Sequence, residues 1–316
     1  MSQSIVHRLQ RLPTPMAGLA LGIASLGVCL DQRLGGDQWL QTGAAAIAAI
    51  LLLMVVSKFL FHPGLLKKES ADPLVGSVMP TFTMGIMMVS KSLALVFPIA
   101  ATGLWLTAVS LHLLLLGAFV FFRIRDWNLS HMIPSWFVPP IGIIVAALTC
   151  PSNHYESLAH ALIILGLVSY AILLPTMLYR LIFLSWDEHH TRPTFAIMAA
   201  PASLTLAGYL TIESAPSPLL VMILLGIALT MTTLVYLSML HLLRLPFSPG
   251  YAAFTFPLVV SATALYESAK HFQLFGLGDG SLLRQMADIE LTVAVLLVSY
   301  VAIRYLHAYW PRPRTA

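Results

Sequence analysis

The stretch from residue 12 to residue 24 reads Leu12-Pro13-Thr14-Pro15-Met16-Ala17-Gly18-Leu19-Ala20-Leu21-Gly22-Ile23-Ala24, a proline-marked start that leads directly into an apolar run. The same combination recurs along the chain, with starts roughly sixty residues apart. After each start come an apolar stretch, a short polar break and a second apolar stretch. This pattern predicts five helical hairpins arranged around a central axis. The five starts are Pro13, Pro73, Pro134, Pro193 and Pro249.

Composition indicates an integral membrane protein. Hydrophobic residues make up 58% of the chain and charged residues 9%, whereas soluble domains carry about 25% charged residues. A helix that crosses the hydrocarbon core needs about 20 apolar residues, and the two halves of each hairpin supply them. The sequence therefore predicts an all-α protein with ten transmembrane helices. We place them at 13–30, 39–61, 73–90, 97–121, 134–150, 157–180, 193–212, 217–243, 249–266 and 287–308.

The hairpins form one predicted transmembrane domain, which spans residues 1–316. We expect no separate soluble domain, because the polar breaks between the apolar stretches are short. The predicted hairpin repeats are 13–61, 73–121, 134–180, 193–243 and 249–308.

Charge distribution predicts the orientation of the chain. Most of the 17 Lys and Arg residues lie on the side where the odd-numbered helices begin, and many acids, among them Asp288 and Glu290, fall on the opposite side. The positive-inside rule then places both termini in the cytoplasm. Since the cations are scattered over helix ends, we expect no nucleic-acid partner. The cations on the opposite side are Arg33, Lys91, Lys270 and Arg284.

The odd-numbered helices differ chemically from the even-numbered ones. They contain internal prolines and many small or hydroxylated residues. Proline frees a carbonyl and kinks a helix, which lipid does not compensate but a protein-lined or hydrated interior does. We therefore predict an inner ring of odd helices and an outer ring of even ones; the alternative is ordinary packing by small residues. Candidate pore-lining or kink residues are Gly18, Gly22, Pro80, Thr83, Pro139, Gly142, Pro201, Thr205, Pro257, Val260 and Thr263.

The predicted inner ring carries no Lys, Arg, Asp or Glu within its spans. A proton-coupled carrier usually places an ionisable side chain in the membrane interior, and a cation channel places a ring of acids there. A route lined by hydroxyls, methyls and kinked backbone is predicted to discriminate only weakly between ions, mainly by how readily each ion loses its water. The positive ends of the inner helices favour anions.

Two charged residues are candidates for the outer pore mouth. Glu267 follows Phe256 by about three helical turns, and Lys91 ends the third span. The alternative for Glu267 is a solvated carboxylate at a helix end beside Lys270, since charges cluster at membrane interfaces.

Other polar residues point away from enzymatic chemistry. His112 and His160 lie in predicted outer helices, where polar side chains more often bond a neighbouring helix than a substrate. The run Asp187-Glu188-His189-His190 is a weak metal candidate, because its spacing is not helical. The chain contains no P-loop, nucleophile elbow or dinucleotide fingerprint in a plausible context. We expect no enzyme, no cofactor and no metal.

Short motifs, in order along the whole chain, resemble TehA-type proteins of the tellurite-resistance/dicarboxylate transporter family, which also contains the plant guard-cell slow anion channels. The stretch 12–24 is similar to that family's opening motif. The others are Pro134-Ser135-Trp136-Phe137-Val138-Pro139, Arg192-Pro193-Thr194 with Ala200-Pro201-Ala202, and Ala253-Phe254-Thr255-Phe256-Pro257.

The resemblance implies a ten-helix barrel with a pore through the inner ring, a homotrimer of separate pores, and occlusion of each pore by Phe256. A residue before proline is displaced from helical geometry, so the Phe256 ring can swing into a cavity; the alternative is a packing role. The chain departs from bacterial relatives at Pro15 and Pro257, where glycine is usual. Because either proline changes the shape of the pore, the substrate of a relative is not assigned to this chain.

These observations predict an anion channel or uniporter of the bacterial inner membrane, which passes small monovalent anions such as chloride and nitrate. The alternative is a coupled carrier or exporter of a small oxyanion (sulfite or tellurite) or of a C4-dicarboxylate. The inner ring lacks a cation to grip a dicarboxylate, which counts against that substrate. A membrane scaffold or sensor is a third hypothesis, which the absence of soluble domains disfavours.

Overall fold

A computed structural model describes residues 9–186 and 191–309, and within these ranges all regular structure is helical. Short 3-10 helices lie between or before the α-helices, at Leu129–His131, Pro134–Phe137, Gly142–Ile144, Asn153–Tyr155, Arg192–Ala199 and Pro249–Phe254. The α-helices are α1 (Met16–Leu34), α2 (Trp39–Phe61), α3 (Pro63–Ala71), α4 (Val75–Val78), α5 (Thr81–Leu93), α6 (Pro98–Arg125), α7 (Val138–Ile141), α8 (Val145–Leu148), α9 (Glu156–Phe183), α10 (Ala200–Ile212), α11 (Pro218–Leu242), α12 (Phe256–Leu274) and α13 (Ser281–Tyr309).

The described ranges contain seven helices that are long and apolar enough to cross a membrane. The number rises to eight if Pro63–Ala71 and Val75–Leu93, which meet at a bend of 105°, are counted as one span. The seven are Met16–Leu34, Trp39–Phe61, Pro98–Arg125, Asn153–Phe183, Arg192–Ile212, Pro218–Leu242 and Ser281–Tyr309.

The prediction of ten helices is thus met only in part, and the shortfall lies in the odd-numbered segments. The fifth segment, Pro134–Leu148, is apolar but short, and it is divided into alternating 3-10 and α pieces. Pro139 and Pro140 explain the division, because each lacks the N–H that a continuous helix needs. The third segment is interrupted in the same way at Pro80, the N-cap of α5.

The nine-residue helix α3 was not predicted. It begins with Pro63 in its first turn, where the missing N–H costs nothing. The backbone N–H groups of Leu74 and Val75 donate to the Asp72 carboxylate at 2.9 and 2.7 Å, which caps the following turn. Buried Arg123 donates to the Ala71 carbonyl at 2.5 Å and ties the end of α3 to α6.

Burial separates the segments into an interior and an exterior set. In the most apolar stretches of Met16–Leu34 and Arg192–Ile212, 61% and 78% of the residues are buried. The corresponding share is 28% in Trp39–Phe61 and in Pro98–Arg125. The exposed faces of the second pair carry large apolar side chains such as Leu53 and Leu114, as expected for surfaces that face lipid.

The interior segments close a ring by pairwise packing. Helix α1 packs against α5, α5 against α8, α8 against α10, α10 against α12, and α12 against α1. The exterior helices lie behind this ring, with α2 against α1, α6 against α5, α11 against α10 and α13 against α12. This arrangement leaves a central axis surrounded by five segments, which we call the inner segments and number by their place among the ten predicted helices. They are the first (Met16–Leu34 with the turn before it), the third (Val75–Leu93), the fifth (Pro134–Leu148), the seventh (Arg192–Ile212) and the ninth (Pro249–Phe254 with Phe256–Leu274).

Candidate functional site

A cavity of about 390 Å³ lies inside the ring, at the face of the molecule where the inner segments begin. We call this the start face. Apolar and small side chains form most of the cavity wall, and every inner segment contributes. Representative wall residues are Pro15 and Gly18 from the first inner segment, Val78 and Met84 from the third, Phe137 and Ile141 from the fifth, Ile197 and Leu204 from the seventh, and Ala253 and Phe256 from the ninth.

Phe256 stands where the ninth inner segment changes from 3-10 to α-helix. The irregular residue is Thr255, with φ −97° and ψ −86°, and Phe256 is the first residue of α12. The break therefore lies one residue earlier than the proline rule predicts. Phe256 is 6% exposed, and Phe256 and Pro257 are the last residues of this segment, in chain order, that line the cavity.

Packing against α1 holds this break in place. The Thr255 hydroxyl lies 3.1 Å from the Gly18 carbonyl and 2.7 Å from the Ala252 carbonyl. A Cβ atom added to Gly22 would lie 2.5 Å from the Thr255 Cβ, so only glycine permits this approach. Gly22, a candidate pore-lining residue, therefore serves the contact between α1 and the ninth segment.

The structure brings part of the predicted set together around the cavity. Its wall includes Phe256, Gly18, Gly142, Pro201 and Pro257. The remaining candidates do not line this cavity, and a pore-lining role for them stays a prediction: Gly22, Pro80, Thr83, Pro139, Thr205, Val260 and Thr263.

Three polar groups join α5, α6 and the fifth segment. The His112 Nε2 atom lies 2.9 Å from the Pro139 carbonyl, and since a carbonyl only accepts, Nε2 carries the proton. The Nδ1 atom lies 2.8 Å from the Thr83 hydroxyl. His112, which is completely buried, thus bonds two neighbouring segments.

The predicted outer-mouth residues both have partners. Glu267 accepts from Lys270 at 2.8 Å and from Gln32 at 2.6 Å, and its side chain remains 14% exposed. Lys91 donates to the carbonyl of Leu148, the last residue of α8, at 2.8 Å. His160 lies 3.8 Å from Glu156.

An ion pair at the cavity wall was missed by sequence reasoning. Lys58 donates to a Glu69 carboxylate oxygen at 2.5 Å and to the Thr14 hydroxyl at 3.0 Å, and Thr14 donates to the other Glu69 oxygen. The three residues line the cavity. Lys58 reads in the sequence as an ordinary cation at a helix end, and no local signal relates it to Glu69, which the unpredicted helix α3 carries.

A buried carboxylate inside a membrane-spanning helix was also missed. The sequence puts Glu290 among the acids of the outer side, but the structure buries it to 7% exposure in α13. It lines a cavity of about 10 Å³ with Ser203, Thr232 and Ser261. Its Oε2 atom makes no hydrogen bond of ordinary geometry within the described part of the chain, and the nearby Ser261 hydroxyl donates to the Leu258 carbonyl. The only sequence signal was its position inside the last predicted span.

The structure offers no metal centre among residues 9–186 and 191–309, where no group of three or more His, Cys, Asp or Glu side chains clusters. The weak metal candidate Asp187-Glu188-His189-His190 lies outside the described residues. Cys29 and Cys150 are both free thiols.

Comparison with known proteins agrees with this geometry. A curated relative, named an uncharacterized transporter of Methanocaldococcus jannaschii, is 24% identical over 257 residues, which cover 72% of this chain and 73% of the relative. The model of the SLAC1 family, described as voltage-dependent anion channel, matches residues 12–306. Such membership implies anion transport across a membrane rather than enzymatic catalysis. The chain therefore belongs to the SLAC1 family of voltage-dependent anion channels.

Proposed function

We propose that the chain is a channel or uniporter for small monovalent anions, such as chloride and nitrate, with Phe256 as the gate. The supporting observation is the cavity of about 390 Å³ to which all five inner segments contribute and whose wall includes Phe256 and Pro257 of the ninth segment. An apolar ring at this point obstructs an ion, because an ion that passes it must shed water without compensation.

Selectivity for anions follows from the way the helices face the cavity. The helices α1, α5, α10 and α12 all begin beside it, and a helix start carries about half a positive elementary charge. The wall contributes few charged side chains, so binding is weak enough for an ion to leave as well as to enter.

The membrane setting of the proposal is the bacterial inner membrane. In it the odd and even segments form ten membrane-embedded helices in five hairpins and one domain, with both termini in the cytoplasm and the start face toward the cytoplasm. The assembly is a homotrimer with one pore per subunit. Its partners are the lipid bilayer and small anions, and it uses no cofactor.

The test is to compare currents, in chloride and then in nitrate, from the wild type and Phe256→Ala at matched surface expression. We expect at least ten-fold larger currents from Phe256→Ala, since the alanine removes the apolar obstruction. Phe254→Ala is the matched control, because Phe254 is also buried but lies outside the cavity wall. Equal currents from all three proteins refute the gate.

Glu290 favours a second candidate, a proton-coupled carrier of a small oxyanion such as sulfite or tellurite. A carboxylate buried in a spanning helix is the kind of group that such carriers use, and its tiny cavity has room for about one water molecule. If the chain is such a carrier, sulfite uptake into proteoliposomes should follow a proton gradient and should be lost in Glu290→Gln. If the chain is a channel, adding Glu290→Gln to the Phe256→Ala variant should leave its current unchanged.

A further inference from the structure

The three residues at the cavity mouth form a closed set of hydrogen bonds. Each oxygen of the Glu69 carboxylate accepts from a different donor, one from the Lys58 ammonium at 2.5 Å and the other from the Thr14 hydroxyl. Lys58 also donates to Thr14 at 3.0 Å. Two donors held side by side therefore grip the two oxygens of one anionic group.

The two donors belong to the fixed part of the molecule. Thr14 is 2% exposed and precedes α1, and Lys58, near the end of α2, is 3% exposed. A buried ammonium needs an anionic partner, because an unpaired charge in this environment is strongly destabilising. The site is thus built to hold a negative group, whichever molecule supplies it.

Glu69 belongs to a part that is less firmly packed. It lies on α3, in which no residue is buried, and its own side chain is 18% exposed. Helix α3 meets the third inner segment at a bend of 105°. All three residues line the cavity, but the Glu69 carboxylate is carried by a short surface helix, whereas its two donors are almost completely buried.

We propose that Lys58 and Thr14 form an anion-binding site at the start-face mouth of the cavity, which the Glu69 carboxylate occupies as a tethered competitor. The ligands are small carboxylates and planar oxyanions such as acetate and nitrate, whose paired oxygens match the paired donors. This inference rests on the proposed function only in that the bound anion would be one that the pore carries.

The first experiment measures binding without transport. Thermal unfolding of the purified wild type, Glu69→Ala and Glu69→Ala/Lys58→Met is followed in rising potassium nitrate or acetate, with ionic strength held constant by the bulky sulfonate HEPES. A ligand that binds only the folded state raises its melting temperature. We expect half-maximal stabilisation of Glu69→Ala at an anion concentration at least ten-fold lower than for the wild type, and no such response in the double variant.

Two further variants serve as controls for this experiment. Glu69→Gln keeps the side-chain volume if Glu69→Ala does not fold, and it should respond to anions in the same way. Asp126→Asn is the matched charge control, since Asp126 is an exposed acid that pairs with His131 at 3.7 Å outside the cavity. Anion responses that are equal in the wild type, the Glu69 variants and the double variant overturn the site.

A transport measurement then separates failure of the site from failure of the channel. In the Phe256→Ala background, Glu69→Gln should lower the half-saturating nitrate concentration on the start face at least three-fold, and adding Lys58→Met should reverse this. No current from Phe256→Ala together with nitrate binding by Glu69→Ala rejects the channel and keeps the site. Current from Phe256→Ala without an anion response in the Glu69 variants rejects the site alone.

Discussion

His112 shows how a single buried side chain compensates for a break that proline introduces. The fifth inner segment contains Pro139 and Pro140, and the carbonyl of Pro139 accepts a hydrogen bond from the His112 side chain of a neighbouring helix. An unsatisfied carbonyl inside a membrane protein costs free energy, and neighbouring helices are where a broken segment finds replacements.

We expect His112→Phe to lower the free energy of unfolding by about 1–3 kcal/mol, because it removes the hydrogen bonds of His112 to the Pro139 carbonyl and to the Thr83 hydroxyl. The measurement is the denaturation midpoint of the purified protein in detergent. His160→Phe is the control, since the His160 side chain is 36% exposed and its nearest acid is 3.8 Å away. An equal effect of both substitutions would contradict the proposed role of His112.

At the scale of the elements, the contact between α1 and the ninth inner segment sets the position of Phe256. Gly22 lets α1 approach Thr255, and Gly18 lies against Ala252, where an added Cβ would be 3.3 Å from the Ala252 Cβ. Gly18 and Gly22 therefore form a packing surface on α1 for the ninth segment. In the proposed pore, the effect of these glycines is indirect, because they position Phe256 and do not themselves obstruct the ion.

Gly22→Ala should destabilise the protein by about 1–3 kcal/mol, as overpacking commonly does, and should change the current because it displaces the segment that carries Phe256. The readouts are the denaturation midpoint and the chloride current. Gly43→Ala provides the matched control, since no atom lies within 4 Å of the position of its added Cβ. A Gly22→Ala variant as stable as Gly43→Ala would refute this account.

At the scale of the whole molecule, the proposed orientation places helix α3 in the cytoplasm and the loop before α13 outside. In a Cys150→Ser background, where the remaining thiol Cys29 is buried, we expect a membrane-impermeant maleimide to label Asp279→Cys in intact cells. Lys67→Cys should react only after the membrane is opened. Labelling in the reverse pattern would invert the proposed topology and put the Lys58 site on the outside.

The assembly is a second property at this scale. Large apolar side chains, among them Ile99, Leu114 and Leu237, remain exposed on the exterior helices, and lipid or neighbouring subunits must cover them. A trimer of 34.5 kDa chains has a protein mass of 103.5 kDa, three times 34.5. Native mass spectrometry should find this mass, and a monomer of full activity would contradict the trimer.

The candidate site was predictable where it depends on local chemistry and was missed where it depends on distant contacts. Proline acts on its own turn of backbone, so the breaks at Pro80, Pro139 and Pro257 were visible in the sequence. The prediction of ten spans with kinked odd-numbered helices is met only in part, because two adjacent prolines divide the fifth segment into pieces shorter than a span.

What the sequence determined by itself is the class of the molecule: a helical membrane protein with proline-broken segments, related to the slow anion channels. Hydrophobic content and proline geometry impose the helical class and the breaks on any local stretch of chain, whereas the family relation comes from the resemblance of short motifs along the chain. The tertiary structure alone decided that Lys58 meets Glu69 across a bend of 105° and that Glu290 faces inward. Such contacts depend on the angles at which helices cross and turn. Those angles are set by packing between residues that are far apart in the chain.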